Sequence, residues 1–307
     1  MNAQLSGFPE RVKAFNLENA KRLSANMEKD ITAYISFDNM DLELWVCTEL
    51  LKLKSLHYGY WSNGESLNLD NLRLAQERYT EELIGNIPAG VKTILDVGCG
   101  IGDNARAMAD RGYHVTALSP DKNHKQYFDR AKHPNIRFHN LKFEDLHLDE
   151  KFDLVLMSES QNYFDADLGF EQCRRFLDDH GHLLVCGMFR YDDSDTFKHV
   201  RNIESEYVAK AARHKLELAR RVDITERVLP TLELASEASR EYLAPAYNVL
   251  KYYFEHSSPL KLRLFKMFCS KELKNLGKIY HYYREFFDPA LFRERVKYLT
   301  LLFESSP

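Results

Sequence analysis

Short apolar runs recur through the middle of the chain. Each is followed by a polar or glycine-rich break and then by a stretch whose apolar residues fall at helical spacing. That alternation predicts buried strands joined by helices, an α/β architecture. Ile94-Leu95-Asp96-Val97 reads as the first strand, entering Gly98-Cys99-Gly100-Ile101-Gly102 and then a helix from about Asp103 to Arg111. Tyr113 to Leu118 is the second strand, Ile136 to Phe138 the third and Phe152 to Met157 the fourth. A helix over Asp167 to Leu177 and a turn at Asp178-Asp179-His180-Gly181 precede the fifth, His182 to Phe189. Leu216 to Ile224 is the sixth strand and Tyr298 to Phe303 the last, with about seventy residues between them. Leu42, Leu44, Trp45, Leu50, Leu51 and Leu53 fall at helical spacing in an N-terminal stretch of helical character.

The three close glycines after the first strand let the backbone turn sharply and approach a ligand. A dinucleotide site of the G-x-G-x-x-G type requires a third glycine at position 103, where this chain has Asp103, a carboxylate that would repel a pyrophosphate. The spacing Gly98, Gly100, Gly102 behind Asp96 instead resembles motif I of the class I methyltransferases that use S-adenosylmethionine, a ligand without phosphates. The resemblance covers about Leu56 to Val228 and returns at the C-terminus. It implies a Rossmann-like seven-stranded sheet, a bound S-adenosylmethionine and cofactor contacts from Asp96, Gly98, Cys99, Gly100 and Gly102.

Further segments extend the resemblance. His57-Tyr58-Gly59-Tyr60-Trp61 is similar to a segment that folds over the cofactor in small-molecule methyltransferases of the tocopherol and sterol group. Tyr58 and Trp61 then touch the methionine half; the other reading is an aromatic clamp within the core. Ser119 ends the second strand where the family usually places a carboxylate for the ribose, so Ser119 is a departure that can still hydrogen-bond the sugar. Asp121 either substitutes for it or caps the next helix. Phe143 and Glu144 fall in the adenine loop, with ordinary packing as the alternative for Phe143. Ser158 and Glu159 open the loop after the fourth strand, where ligands of open α/β sheets bind. The implied domains are an N-terminal helical cap over 1–55, a cofactor-binding core over 56–228, a helical substrate lid over 229–296 and the last core strand over 297–307.

At 307 residues the chain is long enough for one such domain with helical additions. A net charge of −4 argues against nucleic acid as a main partner. Cys47, Cys99, Cys173, Cys186 and Cys269 form no C-x-x-C pair, and no apolar run reaches the ~20 residues needed to cross a bilayer. Those features predict a reduced, cytoplasmic protein, and a homodimer is compatible with them. The histidines show no helical pairing with a third ligand, so no metal site is expected. No hydrolase elbow or P-loop is present.

The lid segment is aromatic, with Tyr252, Tyr253, Phe254, Phe265, Met267, Phe268, Tyr280, Tyr282, Tyr283 and Phe286, and Ser258-Pro259 reads as a helix start. Its aromatic content implies a hydrophobic or aromatic acceptor, against the plainer reading of packing onto the sheet. Residues 251–284 also carry eight Lys and Arg against Glu255 and Glu272. That is a solvated face, an anionic-membrane surface or a dock for an acidic carrier that presents the acceptor. Glu159 is the first candidate base, with His57 and Tyr58 next. The function expected is methyl transfer to a hydrophobic small molecule at O, N or C. The alternatives are a lipid-modifying relative of the cyclopropane fatty acid synthases and a scaffold that binds the cofactor without turnover.

Overall fold

The structure, a computed structural model, describes residues 42–256 and 287–306. The chain divides into two units, Met1–Leu50 and Leu51–Pro307. In the first, α1 (Leu42–Trp45) passes into a π-helical turn over Val46–Leu50, where the Thr48 hydroxyl donates to the Leu44 carbonyl at 2.9 Å. The rest of the expected N-terminal cap, residues 1–41, lies outside the described residues.

The second unit begins with α2 (Leu69–Gly85), capped by Asn68, whose side chain accepts from the Asn71 amide. It continues through β1 (Thr93–Val97), α3 (Asp103–Asp110), β2 (His114–Leu118), α4 (Lys125–Arg130), β3 (Ile136–His139) and β4 (Phe152–Ser158). Then follow α5 (Ala166–Phe176), β5 (Leu177–Arg190), α6 (Glu204–Arg213), β6 (Leu216–Asp223), α7 (Thr225–Ala238), a π-helical turn, α8 (Ala244–Glu255), α9 (Pro289–Arg295) and β7 (Val296–Ser305). The seven strands form one sheet in the order β3-β2-β1-β4-β5-β7-β6, parallel from β3 to β5. β7 runs antiparallel between β5 and β6.

Both faces of the sheet are covered, as strand alternation requires. Ile94, Leu154 and Leu156 face one apolar cluster, shared with Tyr79 and Leu83 of α2, Met108 of α3 and Leu229 of α7. Leu95, Val97, Val155 and Met157 face the other, shared with Phe170 and Phe176 of α5 and Tyr207 of α6. From β1 the chain crosses outward to β2 on one side, and β4 lies on the other. The strand order therefore reverses between β1 and β4, and a crevice opens beyond their carboxyl ends.

The expected strands fall close to their observed places, with two differences. The turn expected at Asp178–Gly181 interrupts β5 rather than preceding it: Leu177 already pairs with Phe152, and pairing resumes at His182 opposite Leu154. Gly181 allows that fold-back, since a Cβ there would stand 3.0 Å from Leu177 and 3.1 Å from the Asp178 backbone. Second, α7 begins at Thr225 and runs straight across the expected boundary between core and lid. Within the expected lid, Tyr252 and Tyr253 are exposed, and Tyr252 stacks on His256. Residues 257–286, with the Ser258-Pro259 start and most of the aromatic and basic residues of the expected lid, lie outside the described residues. Among the described residues no helix is long and apolar enough to cross a membrane.

Gly102 precedes α3 at φ 82°, and a Cβ there would stand 2.4 Å from the Phe128 ring. Gly102→Ala combines a left-handed penalty with overpacking and should cost about 2–4 kcal/mol in urea unfolding. Wild-type stability of the variant would contradict the packing described.

Candidate active site

Gly98, Gly100 and Gly102 all adopt positive φ, at 75°, 55° and 82°. The Gly98 and Cys99 amides both donate to the Leu118 carbonyl, at 2.9 and 3.0 Å, fastening the turn to the end of β2. A Cβ on Gly98 would meet Ser160 at 2.5 Å, so glycine is required there for packing. Gly100 is different: a Cβ would meet only Leu56, at 3.9 Å, and the backbone is open on that side.

Asp96 is buried beneath this turn, and its Oδ2 has no hydrogen-bond partner. Burial first, and the charge of Asp103 second, push its carboxyl up to about 7. Asp103 opens α3, and its Oδ2 lies 3.0 Å from His57 Nε2. The other ring nitrogen of His57, Nδ1, is 2.7 Å from the Tyr58 carbonyl, which can only accept. The carbonyl fixes a hydrogen on Nδ1, and Nε2 also stands 3.4 Å from the Thr80 hydroxyl. Burial works against a charged ring, but Asp103 outweighs it and the His57 pKa is raised. Burial likewise opposes the Asp103 charge, and the pairing with His57 holds its carboxyl below the usual range.

Residues 55–61 form a strap held at six of its seven residues. Gln76 Nε2 donates to the carbonyls of Ser55 and His57, and the Tyr60 amide donates to Ala75 at 2.7 Å. Thr231 of α7 accepts from the Gly59 amide and from Trp61 Nε1. A Cβ on Gly59 would stand 2.6 Å from that of Ala75. The Tyr58 amide points at Glu159 Oε1, 3.2 Å away.

Glu159 follows β4 with φ 61°, a conformation that costs a non-glycine residue about 1–3 kcal/mol and tends to occur where a side chain must be aimed. Its Oε1 also accepts from the Tyr298 hydroxyl. The Tyr298 hydroxyl lies 3.1 Å from that of Tyr79, which in turn is 3.0 Å from Ser158 Oγ. The His57 ring stacks on Tyr79 with centroids 4.2 Å apart. Burial raises the Glu159 carboxyl, and His57, Tyr298 and the Tyr58 amide reduce the shift without cancelling it.

The fold thus gathers Asp96, Gly98, Cys99, Gly100, Gly102, His57, Tyr58, Ser158 and Glu159 at the carboxyl ends of β1 and β4. Trp61 is buried, its indole nitrogen committed to Thr231, which matches the core-clamp reading. Phe143 is buried with its ring facing Phe164 and Phe176, the packing alternative, while Glu144 is exposed on the same 3₁₀ turn. Ser119 is buried, its hydroxyl 2.8 Å from His124 Nδ1, and Asp121 accepts from the Asn123 amide. Tyr79, Tyr298 and the pairing role of Asp103 were not foreseen; the one sequence signal was an acidic helix start directly after the glycines. A groove of about 490 Å³ at the other end of the sheet, beside Gly90, Asp153 and His182, lies away from this cluster. Among the described residues no group of three His, Cys, Asp or Glu is arranged to hold a metal ion.

Residues 94–181 match the family model described as a methyltransferase domain. The chain is 37% identical over 71 residues to the ubiquinone biosynthesis O-methyltransferase of Nitrosomonas europaea, a stretch covering 23% of this chain and 29% of that protein. It is 26% identical over 175 residues to the malonyl-[acyl-carrier protein] O-methyltransferase of Acetivibrio thermocellus, covering 54% of this chain and 57% of that one. The match therefore spans less than two thirds of either curated relative. The mycolic acid cyclopropane synthase CmaA1, solved with SAH and CTAB, superposes with a TM-score of 0.61 at 17% identity, covering 88% of this chain and 95% of that one. The fold is that of the class I S-adenosylmethionine-dependent methyltransferases. The segment that matches the methyltransferase-domain model, 94–181, holds the glycine turn, Asp96 and Glu159.

The raised Asp96 pKa has a thermodynamic consequence. A carboxyl titrating above its unfolded value costs stability as pH rises from about 4, and the whole cost is present above about 7. A shift from 3.8 to about 7 sets an upper limit of about 4 kcal/mol. In urea unfolding, Asp96→Asn should gain stability over the ligand-free wild type between pH 5 and 8. Parallel pH dependences for the two proteins would contradict the buried, unpaired carboxyl.

Proposed function

We propose that the protein is an S-adenosylmethionine-dependent methyltransferase acting on a hydrophobic or aromatic small molecule. The observation that carries this reading is the orphaned Asp96 carboxyl beneath the glycine turn, where Asp103 and Glu159 add two further carboxyls and His57 and Arg106 are the neighbouring basic groups. Such an environment suits a ligand with cationic groups and opposes a pyrophosphate. Asp96 would hold the ligand's α-ammonium, and the Gly98–Gly102 backbone would pass close to its amino-acid part. Ser119 and His124 stand at the end of β2 for the ribose. When bound, S-adenosylmethionine supplies an electrophilic sulfonium methyl.

The chain's own residues do the rest. The strap, with Tyr58 beside Tyr298 at 5.4 Å, presents aromatic faces around Glu159 and excludes water. Glu159 would take the proton from the acceptor's hydroxyl or amine as the methyl is transferred, with the demethylated cofactor as leaving group, and would pass that proton to water. The curated relatives are O-methyltransferases by name, which supports an oxygen acceptor without fixing its identity.

The direct test is incubation with methyl-labelled S-adenosylmethionine and a metabolite extract of the host, counting organic, aqueous and protein fractions. Label in the organic fraction is expected. Label in protein would point to a carrier-bound acceptor, and binding without label would favour a non-catalytic scaffold. Glu159→Gln should keep cofactor affinity and lose about 100-fold or more in turnover; unchanged turnover would remove Glu159 from the mechanism. Cofactor affinity of the wild type should rise with pH up to about 7, because Asp96 must shed its proton to meet an ammonium. For Asp96→Asn that dependence should vanish and affinity should fall, and calorimetric titration reads both.

A further inference from the structure

Glu159 Oε1 carries two donors, the Tyr58 amide and the Tyr298 hydroxyl, whereas no group among the described residues donates to Oε2. Glu159 is half-buried at the strand end, with Oε2 as the oxygen that accepts no hydrogen bond among the described residues. Tyr298 is fully buried on β7, two strands from β4, and its ring approaches those of Tyr58 and Tyr79 at 5.4 and 6.2 Å. Its hydroxyl also meets that of Tyr79, which is shared with Ser158. A run of hydroxyls thus spans β4, α2 and β7 and ends on Glu159 Oε1.

Resting on the methyltransferase reading above, we propose that Tyr298, backed by Tyr79 and Ser158, is a positioning residue that fixes Oε1 and dedicates Glu159 Oε2 to the acceptor's proton. The arrangement implies an acceptor that carries a removable proton, a hydroxyl or an amine, rather than an isolated alkene. One feature supports it independently of the hydrogen bonds: Glu159 adopts a left-handed backbone, which persists only where the surrounding structure holds it. The groups that face Glu159 are His57 of the strap, Asp103 of α3, Tyr79 of α2, Cys186 of β5 and Tyr298 of β7. Of these, His57 lowers the Glu159 carboxyl more than Tyr298 does and Asp103 raises it least, and the phenol hydrogen bond is the contact that a single substitution removes cleanly.

The test uses the full chain labelled with [δ-13C]glutamate, following the Glu159 carboxyl by NMR against pH, with the signal assigned through Glu159→Gln. A donor removed from a carboxylate raises its pKa, so Tyr298→Phe should move the Glu159 titration upward by about one pH unit. Affinity for S-adenosylhomocysteine should stay within about two-fold of the wild type. Tyr79→Phe, one hydroxyl further back, should shift the titration the same way by less. In the labelled-methyl assay with host extract, the acid limb of the rate profile should follow the same order. An unmoved Glu159 titration in Tyr298→Phe, or an equal loss of S-adenosylhomocysteine binding, would overturn the proposal. If Tyr298→Phe fails to fold, an unmoved titration in Tyr79→Phe overturns it equally. Failure of the wild type to bind S-adenosylhomocysteine would instead sink the methyltransferase reading and leave the Glu159 titration readable.

Discussion

Three carboxylates and one imidazole, packed together at the carboxyl ends of β1 and β4, constrain everything around them. Burying an ionised carboxylate is costly unless it is paired, so each is dealt with differently. Asp103 is paired with His57, which pins the strap to the first turn of α3. Glu159 is held by an amide and a phenol on one oxygen. Asp96 has no partner for Oδ2, and its carboxyl responds by binding a proton up to about pH 7. The proposed cationic ligand would complete that acidic group.

The glycine turn and the strap serve that constraint from two sides. Gly98 and Gly102 are required by close packing against Ser160 and Phe128, whereas Gly100 leaves its backbone bare where a ligand would approach. The strap is tied to α2, α3, β4 and α7 at once, so its aromatic residues act as a wall and not as a free flap. That rigidity also limits which of its residues can meet a ligand. Tyr58 stands beside Glu159, while Trp61 is spent on holding α7.

The sheet was legible in the sequence because a buried parallel strand is written as one apolar run, and the glycine turn because backbone shape dictates residue type. Glu159 was legible for a related reason: residues just past a strand end face the crevice. The partners of Glu159 were not. Tyr79 and Tyr298 are 219 residues apart, and each reads locally as one more apolar position on a helix or strand. Only the assembled sheet, with β7 inserted between β5 and β6 and α2 packed against it, brings the Tyr298 hydroxyl to Glu159 and that of Tyr79 behind it. Phe143 shows the converse limit, since an aromatic in a ligand loop and one in the core have the same sequence signature, and here the ring packs with Phe164 and Phe176.

The most direct test of the central claim is a crystal structure with S-adenosylhomocysteine bound. The account predicts the ligand across the Gly98–Gly102 turn, its α-ammonium within hydrogen-bond reach of Asp96 Oδ2 and Glu159 Oε2 facing the place where the acceptor would stand. Density for the ligand elsewhere, or an Asp96 carboxyl still without a partner once the ligand is in place, would contradict it.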